Sequence, residues 1–172
     1  VTGVQTCALP ISLKIEELTP LQRRIAEELG TTRGSGGPRV SGPWGALLRS
    51  PELCERAAAF GTLLRDGTSV PTRLSELTIA MAARHWGAQW EWRSHAPKGI
   101  KAGLKPDVLE AIRQRQRPTF TQADEAATYD YVSELLEKKR VSEPTYQALV
   151  SALGVNGAIE LTVVAGFYCL IA

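Results

Sequence analysis

Residues 73–104, RLSELTIAMAARHWGAQWEWRSHAPKGIKAGL, decide how this chain folds. Leu74, Leu77 and Met81 form one stripe at i, i+3, i+7 spacing, and Glu76, Ile79 and Ala83 form a second, so a helix is predicted from Pro71 to a break near Gly87. A further helix follows from Ala88, carries Trp90 to Ala102, is bent by Pro97 and ends at Gly103. The small residues of both helices let their backbones approach closely. Three titratable side chains, Glu76, Glu91 and His95, interrupt these otherwise apolar and small faces. A core has no need of them.

Working outward, the same punctuation recurs. Thr19, Pro20 and Gln22 make an N-cap, an N1 proline and a capping box that open a helix closing at Gly30. The Gly, Pro and Ser-rich stretch from Thr31 to Pro43 reads as a long loop, and its Arg33 and Arg39 are placed to meet an anionic ligand. Trp44 to Leu48 reads as an apolar turn. Ser50-Pro51 caps a helix to about Arg65, with Leu53, Ala57, Phe60 and Leu64 on one stripe, and Gly67 ends it. Downstream, helices are predicted from Pro106 to Gln114, from Thr121 and Asp124 to Lys139, from Ser142 to Gly154, and from Asn156 to the end. Alternation of β-branched residues at period 2 is nowhere sustained, so the fold class is all-α, a single-domain helical bundle.

Composition sets the boundaries of function. The chain has 172 residues, 44% hydrophobic and 22% charged, a globular balance. Its 20 basic and 18 acidic residues are mixed. The basic clusters at Arg113 to Arg117 and Lys138 to Arg140 lack interleaved aromatics, which points away from nucleic acid. No run reaches the roughly 18 uninterrupted apolar residues of a membrane span, and Leu161 to Ala172 reads as a core or subunit-interface helix. Cys54 and Cys169 stand far apart with no CxxC, which suggests two buried thiols in a reducing, cytoplasmic setting. Residues 1–11, VTGVQTCALPI, match the translation of a common sequencing-library adapter and are set aside, leaving residues 12–172 as one domain. An apolar helix running to Ala172 without a stop signal leads to the expectation that the native chain is cut short at both ends.

Glu91 and His95 are four residues apart, so they meet on one face of a helix. Such a carboxylate holds an imidazole in one tautomer. Glu76 folds back onto the pair if the two helices pack antiparallel, and Trp86, Trp90 and Trp92 are expected to desolvate the cluster and shift its proton affinities. On spacing alone, a surface Glu–His pair of small energetic consequence is the competing reading. His85 has no acidic neighbour on its face and is read as structural.

The whole segment carries more than its spacing. R-L-x-E-L followed by A-x-x-A-R-x-W-G-A-x-x-E-W-x-x-H-x-P-x-x-x-x-A-G-L resembles the carboxymuconolactone decarboxylase-like family, relatives of the alkylhydroperoxidase D-like proteins. Gly42-Pro43-Trp44 and Leu48-Arg49-Ser50-Pro51-Glu52-Leu53 extend the resemblance, which covers roughly Leu18 to the C-terminus. It implies an all-helical bundle of that type, assembling as a homo-oligomer, a trimer or hexamer, through its central helices.

The peroxidase branch carries a Glu, then Cys-x-x-Cys, then a His. On this chain those positions fall on Glu76, Ala88, Glu91 and His95, so both cysteines are absent and thiol peroxide chemistry lacks its nucleophile and its resolving thiol. The decarboxylase branch also lacks them. Resemblance to it implies a cofactor-free acid/base lyase that removes CO2 from a small carboxylated lactone in aromatic-compound catabolism. In this reading His95 delivers or relays the proton, Glu91 orients it and Glu76 tunes the pair or handles a second proton. Arg39 or Arg84 holds the substrate carboxylate, and Trp44 and Trp86 supply apolar walls. No metal or organic cofactor is expected, and a metal held by Glu76, Glu91 and His95 is the lesser reading. The alternatives are an alkylhydroperoxidase-type antioxidant protein and a non-catalytic oligomeric protein that binds a small acid. The only partner expected is a small molecule, with neither nucleic acid nor membrane.

Overall fold

The computed structural model describes residues 13–34 and 36–172. Cys7 and the reading of residues 1–11 lie outside the described residues. Among the described residues there are eight α-helices and no strand. The chain divides into two compact units, residues 1–60 and 61–172.

In the first unit, α1 (Pro20–Thr32) begins as its sequence demands. The Thr19 side chain accepts from the Gln22 backbone N–H while the Gln22 side chain accepts from the Thr19 N–H, so two N-terminal donors are satisfied reciprocally. The helix runs two residues beyond Gly30, because Thr31 and Thr32 hydroxyls donate to the carbonyls of Glu27 and Glu28 and hold the last turn. The loop after it is correspondingly shorter than expected. Trp44 lies in a short helix, α2 (Gly42–Leu47), rather than a turn. Gly45 there faces the Val40 carbonyl so closely that an added Cβ would sit 2.1 Å from it.

Helix α3 (Pro51–Asp66) runs from the first unit into the second. Its expected stripe is corrected. Leu53 and Phe60 are exposed, and the buried line is Cys54, Ala57, Gly61 and Leu64. Ala57 and Leu64 are shared with the expected stripe, while Cys54 and Gly61, each one position on, take the inward places expected of Leu53 and Phe60 and leave those larger side chains outside.

The second unit is built around α4 (Thr72–Trp86). Every residue from Leu74 to Ala83 is buried, so both stripes read from the sequence are inward and α4 is central. It packs against α5 (Gln89–Lys101), α6 (Pro106–Arg113), α7 (Ala123–Ser133) and α8 (Glu143–Ile171). Gly87, at φ 69°, makes the left-handed stop that turns the chain back into α5. Helix α5 stays helical through Pro97 up to Lys101. After α7 the chain continues as a π-helical turn, Glu134–Lys138, which Lys139 ends at φ 58°.

Helix α8 opens with Ser142, whose side chain does not cap it. Glu134 accepts from the Ser142 backbone N–H instead, at 2.7 Å. Gly154 (φ 71°, ψ 172°) breaks α8 where the sequence places the end of one helix and the start of the next. By length and composition alone the whole of α8 is long and apolar enough to cross a membrane, a length the run-by-run reading did not reach; 33% of that apolar stretch is buried within the fold. The Glu160 carboxylate in it accepts from both the backbone N–H and the hydroxyl of Ser69, and Thr162 shares a 2.7 Å hydrogen bond with Tyr131.

Candidate functional site

Helix antiparallelism across Gly87 brings together the three groups that the sequence singles out. Glu76 sits on α4 and Glu91 and His95 on α5, and all three are buried. His95 Nδ1 lies 2.8 Å from Glu76 Oε2, and His95 Nε2 lies 3.4 Å from Glu91 Oε2. The imidazole is therefore held between two carboxylates. Position 99, one turn beyond His95, is a buried glycine packed under Leu104: a Cβ there would lie 2.8 Å from Leu104 Cδ1 and 3.6 Å, an ordinary contact, from Glu76 Cβ.

Burial by itself lowers the proton affinity of His95. The hydrogen bonds to Glu76 and Glu91 and the charge of Glu76 outweigh burial and the opposing charge of Lys98, so the proton affinity of His95 is raised above that of an ordinary histidine. His85 moves the opposite way, lowered by burial and by the charges of Lys139 and Arg115. The two histidines of this chain are thus shifted in opposite directions. Because the two glutamates sit at opposite ring nitrogens, they do not converge with His95 on a common point. Among the described residues no group of three His, Cys, Asp or Glu side chains is arranged to hold a metal ion.

The expected tryptophan shield is corrected. Trp86 and Trp90 are exposed, and Trp92 packs half-buried on the core. Tyr168 of α8 covers the imidazole instead, edge-on with ring centroids 5.1 Å apart, and Phe167 packs edge-on to Tyr168. Nothing in the local sequence around His95 signals this residue, which arrives from the far end of the chain.

A cavity of about 730 Å³ adjoins the cluster, a size ordinary for small-molecule sites. Glu76 lines it with Ser75, Ile79, Val164 and Tyr168, whereas His95 and Glu91 do not. Glu76 is thus the member of the trio that faces the cavity. The remaining wall is strongly basic, with Arg65, Arg73, Lys98 and Lys101. Sequence reasoning gave these cations no role: Arg73 stands in the R-L-x-E-L element without a function assigned to it, and Arg65, Lys98 and Lys101 fall on no defined motif position.

Arg84 and Trp86, expected to hold substrate, do not line this cavity. Arg84 donates through Nε to the Arg113 carbonyl at 2.7 Å and lines smaller cavities with Met81, Ile112 and Gln89, not the one beside Glu76. Trp86 is exposed at the end of α4. Arg39 and Trp44 belong to the first unit, where the Arg33 guanidinium lies 3.9 Å over the Trp44 ring. Cys54 is fully buried there beside the Trp44 carbonyl, and burial pushes its thiol up to about 11. Cys169 is partly buried.

No family model matches the chain, and neither a curated protein nor a solved structure matches it.

Proposed function

We propose that the chain is a cofactor-free acid/base lyase of the carboxymuconolactone decarboxylase-like type, acting on a small carboxylated lactone. The observation that carries this reading is Glu76, buried at the cavity wall and hydrogen-bonded to a buried imidazole whose proton affinity is raised. Loss of CO2 breaks a carbon–carbon bond and leaves its electron pair delocalised into a conjugated carbonyl; a proton must then be returned to carbon. Glu76 is the group in position to return it. The proton starts on His95 Nδ1 and passes through the Glu76 carboxylate to carbon, leaving the imidazole neutral until solvent reprotonates it, while Glu91 orients the ring. Of the roles read from the sequence, this takes His95 as the relay and Glu76 as a proton carrier rather than a tuning group. A positioned acid of this kind contributes ~10²–10⁴ in rate.

Thiol peroxide chemistry is the weaker reading. Ala88 and Glu91 occupy the motif's cysteine positions, and Cys54 is held as a thiol. Assembly into a homo-oligomer remains part of the proposal, supported by Val155, Ile159, Val163 and Leu170, which leave an exposed apolar line along α8.

Incubating the protein with γ-carboxymuconolactone and related lactones, followed by CO2 release, tests the reading. Turnover that collapses in Glu76→Gln is expected. Ligand binding without turnover in the wild type would make the chain a small-acid binding protein instead.

A further inference from the structure

The cavity beside Glu76 carries more positive charge than the acid/base cluster uses. Arg73 is committed elsewhere, with Nη1 2.6 Å from Glu125 and Nη2 2.7 Å from Asp124. Arg65 is not. Its Nη2 reaches Thr62 Oγ1 at 3.3 Å and Asp66 at 3.8 Å, but its Nη1 is buried with no hydrogen-bond partner among the described residues. A guanidinium N–H is a strong donor, and leaving it buried and unpaired is costly unless a ligand completes it. Lys98 and Lys101 line the same cavity from α5, three residues apart, exposed on its solvent side and without an ion pair among the described residues. Only Asp66 opposes these three cations on the wall away from Glu76.

We propose that Arg65, Lys98 and Lys101 form an oxyanion subsite that anchors the non-reacting acid group of a small organic anion, leaving the other end of the molecule at Glu76. A carboxylate and a phosphate share the required chemistry. A planar guanidinium gives direction to the contact, and two ammonium groups add charge that attracts the ligand from solution. Which end reacts rests on the acid/base reading above; anion capture does not.

Calorimetric titration at low ionic strength, with glutarate for the carboxylate and glycerol 3-phosphate for the phosphate, tests the subsite. At least one is expected to bind, the tighter one naming the acid group. Lys98→Gln/Lys101→Gln, which alters only exposed side chains, should weaken that binding about tenfold or more, as should Arg65→Gln, while Arg65→Lys retains part of it. Unfolding midpoints of the Arg65 variants show whether the fold is kept. Glu76→Gln should bind the anion as tightly as wild type or tighter, having lost a like charge. Binding of neither probe, or binding unchanged in both the lysine pair variant and Arg65→Gln, overturns the subsite. If Glu76→Gln retains full turnover while the lysine variant loses anion binding, the acid/base reading fails and the subsite stands.

Discussion

His95 Nδ1 and Glu76 Oε2, 2.8 Å apart, join a group that faces the cavity to one that does not. The two should therefore fail differently when removed. Glu76→Gln keeps the shape but cannot exchange a proton, and turnover of an accepted lactone is expected to fall by ~10²–10⁴. His95→Gln leaves the carboxyl in place and removes its proton source, so the pH–rate profile should move while some activity survives. Equal, pH-independent losses in both variants would argue against the relay.

Stability should depend on pH through the same imidazole. Its affinity for a proton is higher in the folded chain than in the unfolded one, where histidine titrates near ~6.5. The stabilising contribution is accordingly complete below about pH 6.5 and is lost as pH rises through the raised folded value. Denaturant midpoints measured from pH 5 to 9 should decline on the alkaline side in the wild type. In His95→Gln that decline should be shallower, and identical slopes would remove His95 as its source.

Arg73 holds Glu125, which is only 2% exposed, together with Asp124. Replacing Arg73 with methionine leaves a buried carboxylate uncompensated, a change that costs about 3–5 kcal/mol at comparable buried pairs. Adding Glu125→Gln should recover much of it. A double variant as unstable as Arg73→Met would show that packing, not charge, is what Arg73 contributes.

Cys54 should be inert. With its thiol pushed up to about 11, only on the order of a thousandth of it is thiolate at pH 8. In a variant lacking Cys7 and Cys169, alkylation by iodoacetamide should be slow in native protein and fast in denaturant. Rapid native labelling would reopen thiol chemistry.

How much of this was legible beforehand varies with the distance over which the signal acts. The Thr19–Gln22 capping box, the Gly87 turn and the break at Gly154 are local backbone requirements, and each stands where the sequence puts it. The Glu91–His95 pair is likewise set by helical spacing. Periodicity identifies a face but not what the face meets: in α3 Ala57 and Leu64 are inward as expected but Leu53 and Phe60 are not, and Tyr168, not the exposed Trp86 and Trp90, covers the imidazole. Arg65 and Lys98 converge only after α3 and α5 are folded, and no spacing along the chain announces a meeting of that kind.

Gly99 places an unusual constraint on mutation. Lys98 and Ile100 on either side of it are exposed, while position 99 is buried against Leu104. Even alanine requires buried Leu104 to swing aside, and a branched side chain would press on Glu76. The packing one turn beyond His95 is thus shaped by a residue with no side chain and no chemistry. A search for functional positions that scores only reactive groups would pass over it.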